Sequence, residues 1–174
     1  PEEADIVRMI YDLYIETDSL TLTEAASIKQ GIKTKNNNYF TRFSIKAILQ
    51  NPVYMIADED AYNFFIQNDT DLFSEKEAFD NKHGIMAYNR TDQEKGRATK
   101  YLPASEWIVS VGKHPGLIPG KVWVQIQESL ERNKSKSFRK PRSNEALLTG
   151  LLFCSCGERM YPKMSKRKTA DGKV

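Results

Sequence analysis

A chain of 174 residues, 40% hydrophobic and 28% charged, has enough apolar material for one packed domain, or for a domain with a small appendage, and too much for wholesale disorder. A net charge of +3 does not by itself indicate nucleic acid, and no apolar run approaches the roughly 20 residues of a membrane span. With no signal peptide, and two cysteines too few and too close for a disulfide framework, a cytoplasmic setting is expected. The chain starts at Pro1 without Met and stops at Val174 inside a polar, basic tail, so it reads as a piece of a longer protein.

Charge is distributed unevenly along the sequence, and the distribution says more than the sum. Between Asp58 and Asp80 there are eight acids and one base, Lys76. From Ala25 to Ala57 there is no acid at all, yet Lys29, Lys33, Lys35, Arg42 and Lys46 fall there. The chain is therefore a basic body carrying an acidic insert, 57–82.

Residues 2–16 predict the first helix, with Ile6, Met9, Ile10, Leu13 and Tyr14 as its apolar stripe and Glu2, Glu3 and Asp5 near the positive end of its dipole. Thr17-Asp18-Ser19 breaks it. Thr21-x-x-Glu24 then reads as a capping box opening a second helix, which Gly31 would end as the C′ residue. Residues 33–38 form a polar loop.

The stretch 37–54, NNYFTRFSIKAILQNPVY, carries the functional signal. Ile45, Ile48 and Leu49 share one face of a short helix, and Arg42, Lys46 and Gln50 share another. Asn51-Pro52 stops it, because a residue before proline is biased away from the α region. Arg42 and Lys46 are like charges one turn apart, an arrangement costing a few tenths of a kcal/mol in an isolated helix. An anionic partner along that face offsets the cost, and a duplex DNA groove selects such a one-signed stretch. The pattern equally fits a solvated surface helix, and these residues alone leave both open. The order of helix, short helix, Gly turn, loop and basic helix is similar to a loose helix-turn-helix, with a loop longer than the usual turn.

In the acidic insert, Tyr62, Phe64, Phe65, Ile66, Phe73 and Phe79 predict one or two short helices anchored on the body, facing away from phosphates. Residues 85–88 and 106–111 predict two strands of a long hairpin, with Lys95, Gly96, Arg97 and Lys100 at a basic tip. His114-Pro115-Gly116 reads as a turn, and neither His83 nor His114 is assigned chemistry. Residues 119–133 predict the last long helix, buried through Val122, Trp123, Ile126 and Leu130, with Pro119 in its first turn. Residues 132–142 carry six bases and no acid and read as a linker. Residues 147–161, LLTGLLFCSCGERMY, change character: a strand runs into a Cys154-x-Cys156-Gly knuckle. Two such thiolates are half of a tetrahedral zinc site.

Taken together, EEADIVRMIYDLY, TLTEAASIKQGIKT, YFTRFSIKAILQNPVY, KHPGLIPGKVWVQIQESL and ALLTGLLFCSCGERM resemble, in order and spacing, the recombinase domain of large serine recombinases. These are the phage integrases and conjugative-transposon recombinases. The resemblance covers nearly the whole chain. Three features depart from the family pattern: Cys154-x-Cys156 stands for a Cys-x-x-Cys, Phe40 stands where Trp is common, and Met55 and Ile56 stand where a Gly often follows Tyr54.

The resemblance implies an α+β, mainly helical fold. A helix-turn-helix-like DNA-binding domain with a small β-hairpin would occupy 1–140, and a linker with the start of a truncated zinc ribbon 141–174. It implies that this chain binds attachment or end sites of a mobile element on double-stranded DNA. A catalytic domain elsewhere in the parent would supply the serine nucleophile, so no catalysis is expected here. Arg42, Ser44, Lys46 and Gln50 are the candidates for base edges or nearby phosphates. Lys33, Lys35, Asn36, Asn37 and Asn38 are candidates for the backbone or an adjacent groove, and Arg139, Lys140 and Arg142 for the backbone toward the ribbon. Cys154 and Cys156 would hold zinc only in a full-length protein that supplies the other ligand pair, alongside further recombinase protomers. No membrane partner is expected. Two rival classes are a helix-turn-helix transcriptional regulator and a protein-interaction module working through the acidic insert.

Overall fold

The computed structural model describes residues 2–93, 100–135, 152–158 and 160. Contacts divide the chain into Pro1–Lys134 and Ser135–Val174. Three helices open the first unit, α1 (Glu2–Thr17), α2 (Leu20–Lys29) and α3 (Arg42–Leu49), and each touches the other two. There follow α4 (Glu59–Gln67), β1 (Asp71–Leu72), β2 (His83–Tyr88), β3 (Thr91–Asp92), β4 (Lys100–Tyr101), β5 (Ile108–Pro115) and α5 (Gly120–Ser135). The fold is thus α+β and mainly helical. Among the described residues no helix is long and apolar enough to cross a membrane.

The expected α1 forms, but it is rolled relative to the predicted stripe. Val7, Ile10, Tyr11, Leu13 and Tyr14 are buried, Ile6 is only partly covered, and Met9 is exposed. Tyr11 can enter the core because its hydroxyl finds a partner there, the Leu49 carbonyl at 3.2 Å. Burial pushes its phenol far above the ordinary range, which keeps it a donor.

The capping box at Thr21-x-x-Glu24 does not form. The helix starts earlier, with Ser19 as N-cap and no side-chain cap bond. Thr23 plays the local role instead: it is fully buried, with its hydroxyl on the Ser19 carbonyl at 2.9 Å and on Thr17 Oγ1 at 2.8 Å. The C-terminus is as expected. Gly31 lies at φ +69, where a side chain would be strained, and the Gly31 and Ile32 amides return to the Ile28 and Ser27 carbonyls.

β5 is the centre of the sheet β1-β5-β2, parallel to β1 through Asp71↔Ile108 and antiparallel to β2 through Ile85↔Val111 and Tyr88↔Ile108. The hairpin strands were legible; β1, inside the acidic insert, was not. β5 also runs through His114 and Pro115, where a turn was expected. The His114 ring bonds the Val53 carbonyl at 2.8 Å and lies over Gly84, where a Cβ would sit 2.3 Å from its Nε2. A bulge in β2 between His83 and Ile85 marks that approach. β3 and β4 extend the hairpin through Thr91↔Tyr101 and Asp92↔Lys100. Lys95, Gly96 and Arg97 of the predicted tip lie outside the described residues.

The acidic insert contributes Phe65 and Phe79 to the core, with Tyr62 and Phe64 half-buried; Ile66 and Phe73 remain exposed. Phe64 meets Trp123 of α5 edge-on at 5.2 Å between ring centroids. Trp123, Ile126 and Leu130 are buried as predicted, and Val122 is partly covered. One carboxylate starts two helices: Asp58 accepts from Ala61 N at 2.9 Å for α4 and from Gly120 N at 2.7 Å for α5. Asp58→Ala therefore removes two caps, each worth about 1 kcal/mol. The urea midpoint should fall by the equivalent of about 2 kcal/mol with an unchanged slope, and Asp58→Asn should lose less.

Candidate nucleic-acid interface

α3 is defined by reciprocal bonds at its start. Thr41 Oγ1 accepts from Ser44 N at 3.3 Å, and Ser44 Oγ accepts from Thr41 N at 2.8 Å and donates to the Thr41 carbonyl at 2.8 Å. This is a capping box built with serine at its third position. Ser44, a candidate for DNA contact, thus has its single donor committed to the helix start.

Ile45 and Leu49 are fully buried and Ile48 partly so, while Phe40 closes the core just before the helix. The opposite side is open. Arg42, Phe43, Lys46 and Ala47 are exposed and Gln50 is half-buried. Among the described residues neither Arg42 nor Lys46 is ion-paired. Phe43 was missed as a surface residue, although its position three before Lys46 and four before Ala47 puts it at the centre of the open arc. It is 71% exposed, with the Arg42 guanidinium 5.0 Å from its ring centroid.

The C-terminal carbonyls of α3 are held from three sides. Tyr11 of α1 and Gln127 of α5 (2.9 Å) both donate to the Leu49 carbonyl, and Arg90 donates to the Gln50 carbonyl at 3.2 Å. Arg90 also donates to Asn51 Oδ1 at 2.7 Å and lies over the Trp107 ring at 5.4 Å. Burial lowers its pKa from the ordinary guanidinium value, and Tyr101 opposes that shift. No local sequence signal marks Arg90, because its partners lie about 40 residues away in the chain.

The predicted polar loop is a small hairpin. Thr34 N bonds the Asn38 carbonyl at 2.8 Å, Asn37 N bonds the Thr34 carbonyl at 2.8 Å, and Asn37 takes φ 61. That is a type I turn followed by a left-handed residue. Lys33 contacts Asn37 Oδ1 at 3.0 Å and lies 5.3 Å from the Tyr39 ring centroid. Lys35, Asn36 and Asn38 are exposed, and Lys35 approaches Glu3 only at 3.8 Å, a screened surface pair. Loop and helix thus bring Lys33, Tyr39, Arg42 and Phe43 into one short basic and aromatic stretch.

A family model described as Recombinase matches residues 1–133. The chain belongs to the recombinase family. No curated protein and no solved structure matches it.

In this recombinase domain, Lys46 and Gln50 also border a groove of about 590 Å³, lined as well by Glu128, Glu131 and Lys134 of α5. Glu131 is paired with Lys134 at 3.2 Å. Arg90 lines the same groove, so cations and carboxylates are mixed along it. Arg139, Lys140 and Arg142 lie outside the described residues.

In the second unit, Cys154 N bonds the Glu158 carbonyl at 2.8 Å and Gly157 N the Cys154 carbonyl at 2.9 Å, forming the expected knuckle turn. Cys154 and Cys156 are joined in a disulfide, whereas metal takes the thiolate. Among the described residues no cluster of three or more His, Cys, Asp or Glu surrounds them. The two sulfurs supply at most half of the four ligands that a closed site takes.

Arg90→Ala should lower the stability of the recombinase domain by about 1–2 kcal/mol, since it leaves the Gln50 carbonyl and Asn51 Oδ1 without a charged donor. Arg90→Lys should recover only part, because an ammonium lacks the guanidinium fork. Urea denaturation reads both; unchanged midpoints would show that the hairpin does not brace α3.

Proposed function

We propose that this chain is the DNA-binding part of a site-specific serine recombinase, recognising attachment or end sites of a mobile element for integration or excision. In this reading α2, the 33–39 hairpin and α3 act as a helix-turn-helix variant, with α3 in the major groove. Arg42, Lys46 and Gln50 meet base edges or adjacent phosphates. Lys33, Lys35 and the asparagines at 36–38 contact the backbone beside it, and Arg139, Lys140 and Arg142 follow the backbone onward. Ser44 supports the helix start. The serine nucleophile belongs to another segment of the parent.

One observation carries the reading: Arg42 and Lys46, neither ion-paired among the described residues, are exposed on a helix anchored by the buried Ile45 and Leu49 and fixed at both ends. The acids of the 57–82 segment are not paired with them. A second reading, a protein-docking face on that segment, draws on the 84% exposure of Phe73 and the 55% exposure of Ile66. It requires no retention of DNA at low salt.

A gel-shift salt series with the element's own end sequences against random duplex separates the two. Arg42→Ala and Lys46→Ala should each weaken binding to the end sequence by about 1–3 kcal/mol if they read bases. If they meet only phosphates, the loss should be alike on any duplex and the salt slope should shrink by roughly one unit each. Wild-type affinity in both variants would remove α3 from the interface.

A further inference from the structure

Phe43 has no packing duty that explains it. It is the one large apolar residue standing out from α3, and Ala47 lies one turn further along the same open face. A single exposed apolar side chain is ordinary; this one differs in its surroundings. The Arg42 guanidinium is stacked on its ring, Lys46 flanks it, and no acid occurs from Ala25 to Ala57. A second cation–aromatic pair, Lys33 with Tyr39, stands in the adjoining hairpin. The surface therefore presents an apolar ridge within a positive rim, matched to a partner that is anionic outside and locally apolar inside.

Duplex DNA has that character at one kind of group. A phenyl ring cannot hydrogen-bond to base edges, and the one apolar group that bases offer in the major groove is the C5-methyl of thymine. We infer that Phe43, with the small Ala47 leaving room beside it, is a specificity-determining residue that reads a thymine methyl, next to the base or phosphate taken by Arg42. This rests on the major-groove placement of α3 proposed above.

The test uses the full chain and a randomised duplex pool. Wild-type protein should enrich a thymine at one fixed position, and Phe43→Ala should lose that preference while keeping the others. In the enriched duplex, replacing that thymine by uracil removes only the methyl group. Wild-type binding should then weaken roughly fourfold, the equivalent of one buried carbon, and Phe43→Ala should not respond. Equal affinity of the unaltered chain for thymine and uracil overturns this inference and leaves the α3 reading standing. So does an unchanged thymine preference in Phe43→Ala. Failure of the unaltered chain to retain any duplex at low salt overturns both. The uracil comparison needs no variant, so its outcome does not depend on how Phe43→Ala folds.

Discussion

The last carbonyls of α3 tie three distant parts of the chain to one short helix. The helix has 8 residues, a length at which an isolated segment does not persist in water. Its C-terminal acceptors would be lost to solvent or left unpaired. Instead Tyr11, Gln127 and Arg90 converge on Leu49 and Gln50 from α1, from α5 and from the turn between β2 and β3. Three separate parts of the chain thus depend on one helix end, and through it on the burial of Ile45 and Leu49. The charged donor among them, Arg90, also meets the negative end of the helix dipole.

That arrangement sets where charge can go. The inner face of α3 is committed to the core, and the side toward α5 opens on a groove that carboxylates of α5 also line. Arg42 and Lys46 stand outside the core, Lys46 at the rim of that groove, and among the described residues neither is ion-paired. Screening at physiological salt acts over about 8 Å, so the acids of the 57–82 segment matter to a ligand on α3 only where they come that close. Carboxylates do approach from elsewhere, Glu3 at 3.8 Å from Lys35 and Glu131 in the groove that Lys46 borders, so the surface around α3 is basic without being free of acid.

Much of the fold could be read from periodicity and punctuation, and what could not has physical causes. The bounds of α1, α3 and α5, the cap at Gly31 and the pairing of β2 with β5 follow from local pattern. The roll of α1 does not, since a stripe of period 3.6 tolerates a shift of one position. Tyr11 displaces Met9 from the inside only because Leu49 offers its hydroxyl an acceptor 38 residues away. The same reasoning covers α2, where Thr23 rather than Thr21 matters because burial selects the hydroxyl that finds partners. β1 escaped notice because two residues carry no period, and their pairing with β5 is decided across the fold. On α3, the exposure of Arg42 and Lys46 was legible as a charged face. Phe43 could have been read too, since the spacing of Ile45, Ile48 and Leu49 leaves it on the opposite side of the helix. Arg90 was not legible, because its role exists only in three dimensions.

Recognition by so short a helix also has an energetic requirement. Fixing a backbone costs about 1–2 kcal/mol per residue, so ordering eight residues upon contact would cost on the order of 10 kcal/mol. Specific sites exceed non-specific DNA by about 4–10 kcal/mol in all. A helix that formed only on the target would therefore spend the whole margin by which a sequence is distinguished. The buried pair Ile45 and Leu49, the Thr41–Ser44 cap and the three donors on the far end meet that cost during folding. Side-chain contacts from the outer face then act at nearly full value. The bracing of α3 and the sequence discrimination proposed for it are on this account the same property, and loosening the Arg90 end should erode sequence preference before it erodes general affinity for DNA.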